Sequence, residues 1–308
     1  MLTGAVAARK TRPGGVPPKR NGGRASTRRN WREIGAAYGF ITPWIVGFLV
    51  FMLGPMIASL VLSFTDFNAI NPPNNVGLAN YRELVADPKV AKALGNTLLY
   101  TVMFVPSGMA LALALAMLLN RVGRAAGFFR TVFYLPVMTP TVAVGALFLL
   151  LLNGQEGLLN NTLSLVGISG PNWTTDSAWV KPGLVITTLW SLGGTVVIYL
   201  AALRQVPKEL YEAAELDGAG AWLKFRRVTI PMISGALFFT LIVQTIAALQ
   251  MFDQAYTMFF GAQQNSTYSN EAALFYVVYL FQQGFQFLNM GYASALAWLL
   301  FLVIMIIT

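Results

Sequence analysis

Thr97-Leu-Leu-Tyr-Thr-Val-Met-Phe-Val-Pro-Ser-Gly-Met-Ala-Leu-Ala-Leu-Ala-Leu-Ala-Met-Leu-Leu119 carries no charged side chain. At about 1.5 Å per helical residue, such a run is long enough to cross the ~30 Å hydrocarbon core of a bilayer. Five further stretches meet the same rule, at about residues 38–64, 131–152, 183–203, 233–252 and 291–307. The expected fold is an all-α membrane protein with six transmembrane helices. The first stretch is too long for a signal-peptide core, and no small-x-small cleavage site follows it, so it reads as a retained span. The last runs to Thr308 without a basic or polar stop, so the native chain is expected to continue a little.

Composition agrees. Of 308 residues, 56% are hydrophobic and 11% charged, against about 25% charged in soluble domains. Mean hydropathy is +0.60. The chain has no Cys and no His. That removes thiol chemistry, thiolate metal sites and the commonest general base. No Gly-rich loop ending in Gly-Lys-Ser/Thr is present, so any ATP must be bound by another chain. The net charge is +9, and nine of the 21 Lys and Arg residues fall within the first 32. Set among Gly and Pro, they make 1–37 a basic tail too poor in apolar residues to fold alone. Beside a first span, such a tail is a topology signal with possible lipid contact, and no nucleic-acid partner is expected.

The loops fix an orientation. After the tail they carry three basic residues (Arg82, Lys89, Lys92), three (Arg121, Arg124, Arg130), one (Lys181), five (Arg204, Lys208, Lys224, Arg226, Arg227) and none. Alternate segments therefore hold 17 and 4. The positive-inside rule puts the 17 in the cytoplasm, and both termini with them. Of the outer loops, 153–182 suggests ordered turns, and 260–285 is polar and uncharged apart from Glu271. Both suit either a docking surface or a solvated connector.

The segment 204–232, between the fourth and fifth spans, is the most informative. Pro207 suits a first helical position, and Glu209 and Glu212 follow near the positive end of the helix dipole. Asp217-Gly218 marks a stop or turn. A second short amphipathic helix follows, with Trp222 and Phe225 on one face beside Lys224, Arg226 and Arg227. Gly218 is expected to reverse the chain at positive φ. Ala213-Ala214 leaves a flat patch that a partner could approach closely. On composition alone, docking element and membrane-surface linker are equally open.

Glu212-Ala213-Ala214, Asp217-Gly218-Ala219, Phe225 and Ile230-Pro231 resemble the EAA signature of binding-protein-dependent ABC importer permeases. Ile230 stands where that family usually has Leu, and Ser234 where a second Pro is common. Gly77-Leu78-Ala79-Asn80-Tyr81, Asp87-Pro88, Asn96-Thr97, Phe129-Arg130-Thr131-Val132-Phe133-Tyr134-Leu135-Pro136, Met251-Phe252-Asp253 and Asn289-Met290-Gly291-Tyr292-Ala293-Ser294-Ala295 are similar to the carbohydrate-uptake, maltose-type branch. Gly261-Ala262-Gln263-Gln264 departs from a Gly-rich, Pro-ended turn common there.

The resemblance covers most of 38–308 and implies a multi-pass inner-membrane permease of the type I importer fold, working by alternating access. It implies that Glu212, Ala213, Ala214, Asp217 and Gly218 dock an ATPase subunit. It also implies two such subunits holding ATP and Mg, a second homologous permease and an extracytoplasmic sugar-binding protein. This chain itself would hold no cofactor and no metal.

Polar residues within spans carry functional suspicion. Gln244 shares a helical face with Ala248 and Met251. Trp190, Ser191 and Gly194 lie together in the fourth stretch, where an aromatic could stack on a sugar ring and small residues leave room for it. These six are the cavity candidates, and the resemblance places a cavity among these spans. Helix–helix packing accounts for them as well. An ion-coupled transporter would ordinarily place acids or His within its spans, and these spans hold essentially none. A membrane enzyme would lack the usual acid–base groups, and a bare channel would leave the Glu-Ala-Ala segment unexplained.

Overall fold

A computed structural model describes residues 31–122, 126–154, 156–261 and 271–308. The tail up to residue 30, Arg124, and Ala262, Gln263 and Gln264 lie outside the described residues. The chain divides into a unit ending at Pro55 and one running from Met56 to Thr308.

In the first unit, helix α1 (Trp31–Phe48) contains Pro43 and runs into a π-helical turn at Leu49–Leu53. Its side chains are largely exposed. Helix α2 (Gly54–Leu62) follows, and Ile34–Leu62 is long and apolar enough to cross a membrane.

The second unit is helical. Among the described residues the extended structure is an isolated bridge, Thr65 to Asn75. The helices are α3 (Ala79–Ala86), α4 (Pro88–Arg121), α5 (Ala126–Tyr134), α6 (Thr141–Leu151), α7 (Leu158–Leu165), α8 (Val180–Leu189), α9 (Gly193–Arg204), α10 (Lys208–Leu216), α11 (Ala221–Lys224), α12 (Ile230–Met232), α13 (Ser234–Leu249), α14 (Asp253–Tyr256), α15 (Tyr276–Phe281) and α16 (Met290–Ile307). Pro88–Arg121, Ser234–Phe260 and Met290–Ile307 could each cross a membrane, whereas the third and fourth expected spans are bent pairs. α5 and its 3-10 extension to Met138 meet α6 at 96°, and α8 meets α9 at 54°. The first bend lies at Leu135-Pro136 and Thr139-Pro140. Proline removes a backbone donor and biases its predecessor away from helix, and Thr139 is extended at ψ 130°. α5 begins at Ala126, before the expected residue 131.

α4 is the centre of the unit and packs against α9 and α13. Ala112, Ala116, Val196, Tyr199 and Leu200 form one core between them. Gly193, at the start of α9, allows a close backbone approach to α5: a Cβ would stand 2.0 Å from the Phe133 carbonyl oxygen. At the other end of α4, Asp87 caps the helix by accepting from Lys89 N–H at 2.9 Å. Its second carboxylate oxygen accepts from the hydroxyls of Tyr292, at 3.0 Å, and Tyr279. Burial, with Asp87 beside it, pushes the Tyr279 pKa up, so the hydroxyl remains a donor.

Two buried amides clamp distant segments. Asn80 donates to the Ser63 and Thr65 carbonyls at 2.8 and 2.9 Å. Asn96 donates to the Glu271 and Leu274 carbonyls at 2.8 and 2.9 Å. Thr97 Oγ1 accepts from Tyr276 N–H at 2.9 Å. Gly291 N–H donates to the Phe67 carbonyl at 2.9 Å, and a Cβ at Gly291 would lie 1.9 Å from the Thr65 oxygen. These contacts give the family-like residues at 77–81, 87–88, 96–97 and 289–295 a physical role in holding the α3–α4 corner to α15 and α16. The 260–285 stretch is therefore more than a polar connector, because its second half folds as α15 and a π-helical turn at Gln282–Gln286.

Candidate functional site

α4, α8, α9 and α13, with Thr141 of α6 and the segment that follows α13, line a half-open cavity of about 490 Å³. Tyr100 and Phe104, one turn apart on α4, stack at 5.7 Å and 4°. Phe275 meets Tyr100 edge-on at 5.6 Å. The Tyr100 hydroxyl and Thr188 Oγ1 share a 2.9 Å hydrogen bond. Thr195, Ser191, Gln250, Gln254 and Asp253 add polar groups to the lining, and Thr141 Oγ1 donates to Asp253 Oδ2 at 2.7 Å.

Gln244 is the best-defined polar residue of the wall. It is 8% exposed. Its Nε2 donates to Thr195 Oγ1 at 3.0 Å, while its buried Oε1 has no hydrogen-bond partner. Gly108 stands opposite, where a Cβ would lie 3.5 Å from Oε1. A buried amide oxygen without a donor costs about 1–3 kcal/mol.

Of the six cavity candidates, Ser191, Gln244, Ala248 and Met251 line this cavity. Trp190 and Gly194 are not among its lining residues. Trp190 closes α8 and turns its ring edge-on to Phe148 at 5.8 Å, and nothing lies within 4 Å of a Cβ built on Gly194. Tyr100 and Phe104 were missed by sequence reasoning. Their signal was there: Tyr100, Phe104 and Gly108 recur at i, i+4 and i+8 on one helical face.

The 204–232 segment is two short helices around a tight reversal. Pro207 precedes the first helix at ψ 136°, one position earlier than expected, and α10 starts at Lys208 with Glu209 in its first turn. Ala219 N–H donates to the Ala214 carbonyl at 2.8 Å, and Gly218 N–H to the Glu215 carbonyl at 2.9 Å. With Gly218 at φ +77°, this is a Schellman cap. Nothing lies within 4 Å of a Cβ at Gly218, so its demand is conformational rather than steric.

Lys224 bonds Glu215 across the turn, and the Tyr211 hydroxyl and Thr229 Oγ1 pair at 3.0 Å. α11 is a single turn that passes into a π-helical turn at Phe225–Thr229. Trp222 and Phe225 remain in contact, with centroids 5.5 Å apart. Glu212, Ala213, Asp217 and Gly218 are exposed and Ala214 half-buried. Leu216, 90% exposed, and Trp222, 70% exposed, flank them.

Comparison with known proteins identifies the family. Residues 106–308 match the family described as "Binding-protein-dependent transport system inner membrane component". The chain is 36% identical over 279 residues to "Probable ABC transporter permease protein YesP" of Bacillus subtilis (strain 168), covering 89% of this chain and 88% of that protein. It is 35% identical over 275 residues to "Lactose transport system permease protein LacF" of Rhizobium radiobacter, covering 87% and 90%. Among solved structures, a bacterial alginate ABC transporter in complex with an alginate pentasaccharide-bound periplasmic protein superposes with a TM-score of 0.77 at 26% identity, covering 91% of this chain and 94% of that one. The chain belongs to the binding-protein-dependent transport system inner membrane components, as a multi-pass ABC transporter permease and a transport subunit rather than an enzyme.

Proposed function

We propose that this chain forms the translocation pathway for a sugar in an ATP-driven importer. In this reading it crosses the inner membrane six times, with both termini and the 204–232 segment in the cytoplasm. The 17-to-4 division of basic residues supports that orientation. Residues 1–37 are a cytoplasmic tail and 38–308 the permease domain.

The carrying observation is the cavity. A buried aromatic pair, Tyr100 and Phe104, backs a wall of hydroxyl and amide groups that holds one carboxylate, Asp253, with a buried unpartnered oxygen at Gln244. That mixture suits a sugar, whose ring faces stack on aromatics and whose hydroxyls donate and accept. LacF, a lactose transport permease, and the alginate transporter support a saccharide too.

The energy enters elsewhere. Glu212, Ala213, Ala214, Asp217 and Gly218 form the docking surface for an ATPase subunit, with Leu216 and Trp222 as apolar anchors beside them. Two ATPase subunits bind ATP and Mg, a second permease completes the pathway, and a binding protein delivers the sugar from outside. ATP-driven closure of the ATPase subunits moves the loop and turns the cavity inward. The test is uptake into proteoliposomes holding the full complex, its binding protein and internal ATP. Neutral saccharides should be taken up and amino acids should not. Uptake of amino acids with no uptake of any saccharide would overturn the substrate reading.

A further inference from the structure

Helix α7 lies between the ends of two membrane segments, α6 and α8, and has two unlike faces. Leu159 and Leu163 pack inward on the core that includes Phe148, Leu152 and Trp173. Asn160 points the same way and is fully used. Its Nδ2 donates to the Gly154 and Pro171 carbonyls at 2.9 and 3.0 Å, and its Oδ1 accepts from Trp173 Nε1 at 2.8 Å. The helix ends in a Schellman cap: Gly167 is at φ +76°, Ile168 N–H donates to the Leu163 carbonyl and Gly167 N–H to the Ser164 carbonyl, both at 3.0 Å. α7 is thus a fixed platform on the core.

The opposite side is uncovered and mixed, with exposed apolar residues beside the exposed Asn161 and Thr162. Leu158 is 63% exposed, Leu165 85% and Val166 71%, with Ile168 beside them. The polar side chains near this face turn back on the chain. Thr162 Oγ1 donates to the Leu158 carbonyl at 2.8 Å, Ser164 Oγ to the Asn161 carbonyl at 2.7 Å, and Asn161 Nδ2 to the Glu156 carbonyl at 3.3 Å. Between Glu156 and Asp176 no residue is charged. Hydroxyls bonded back to the chain and the absence of charge suit a helix lying against hydrocarbon. α7 packs against α6, whose Leu147 and Leu150 are exposed within a segment apolar enough for the membrane.

We propose that α7 is an interfacial helix whose Leu158, Leu165, Val166 and Ile168 face lies in the outer leaflet of the membrane. The partner is lipid at the level where headgroups meet acyl chains, where amphipathic helices bury their apolar side. Trp179, half-exposed and edge-on to Trp173 at 5.0 Å, stands at the same end of α8, as interfacial aromatics do. The helix would hold the α6–α8 corner at a fixed depth while the cavity opens and closes. The leaflet assignment rests on the topology proposed above; the lipid contact does not.

The chain's lack of Cys makes the test direct. Leu165→Cys and, separately, Val166→Cys are labelled with a nitrobenzoxadiazole dye. Each is assembled in the full complex in right-side-out vesicles of phosphatidylethanolamine and phosphatidylglycerol. Pro72→Cys, in an exposed loop, is the water-facing control. At both α7 positions the dye should emit to the blue of the control. It should be quenched by nitroxide on the lipid chains near the headgroup, lose its signal to external dithionite, and stay unchanged when binding protein is added. Emission matching the control would overturn the proposal, as would shielding from lipid nitroxide in the assembled complex or protection that depends on the binding protein. Quenching by lipid nitroxide with resistance to external dithionite would overturn the leaflet, and with it the topology, while leaving the lipid contact standing.

Discussion

Gln244→Leu separates a ligand role from a packing role, because the two readings give opposite signs. The substitution removes the bond from Nε2 to Thr195, worth about 1 kcal/mol net. It also removes a buried oxygen without a partner, which relieves about 1–3 kcal/mol. Leu is one bond shorter but of comparable volume, and it adds no clash at Gly108. The two terms largely cancel, so the stability of the complex should change little or rise. The cavity should suffer. One lost hydrogen bond to a sugar hydroxyl is worth about 0.5–1.5 kcal/mol, or roughly 2- to 12-fold in retention of the sugar while the cavity reorients. Since a binding protein sets capture, the loss should appear in the sugar moved per ATP hydrolysed, not in the external half-saturation. The assay is uptake and ATP hydrolysis measured together in proteoliposomes, with thermal unfolding in detergent alongside. A lower melting temperature with unchanged uptake per ATP would refute the cavity role and leave Gln244 as a packing residue.

Other outcomes follow from local geometry. Gly291→Ala should destabilise by about 1–3 kcal/mol, because its Cβ would collide with the Thr65 carbonyl, whereas Gly194→Ala meets nothing and should be near neutral; melting temperatures in detergent compare them. At Gly218, Ala and Asn should fit the space but differ in backbone cost, with Asn tolerated and Ala losing about 1 kcal/mol of local helix-turn stability, read by hydrogen exchange at the Ala219 amide. Cysteines at Pro72 and Gln205, both exposed, should react with an impermeant maleimide from opposite sides, Pro72 from outside, and labelling from one side would overturn the topology. Bonds from the Asn74 backbone and side-chain amides hold the Asp66 carboxyl below its ordinary pKa. The folded value is thus depressed, so the loop's stabilisation is complete above the ordinary value of 3.8 and is lost as pH falls through the lower folded value. Protection of the Asn74 amide, its exchange rate relative to the intrinsic rate at each pH, should therefore be high at pH 5 and fall below the ordinary value, and a pH-independent protection factor would count against it.

The membrane class was legible because hydropathy is a property of contiguous residues, and uncharged runs such as 97–119 state it directly. The bends were less so. A hydropathy average over 131–152 treats Pro136 and Pro140 as two neutral letters, although their backbone consequence is a 96° turn. The reversal at Gly218 was readable because a Schellman cap is local, with its bonds closing within six residues. Asn96 lay at the other extreme. Its likeness to a family motif was visible, but its job was not, since its partners are the carbonyls of Glu271 and Leu274, far along the chain. The cavity was half legible. Gln244, Ala248 and Met251 share a face on one helix, whereas Tyr100 and Phe104 come from another and are joined to them by packing alone. Trp190 drew attention by its chemistry, but its direction is set by contact with Phe148.

The central claim is that ATP hydrolysis on a partner drives sugar through this chain by way of the 204–232 loop. Glu212 is exposed on α10, beside the Schellman turn. Glu212→Lys should therefore leave the chain folded and inserted while reversing the charge of the docking surface. The decisive measurement is sugar-stimulated ATP hydrolysis by the reconstituted complex carrying Glu212→Lys, compared with wild type and Glu212→Gln. Stimulation should be lost in the Lys variant and reduced less in the Gln variant. Stimulation equal to wild type in the Lys variant would contradict the account and leave the loop a linker.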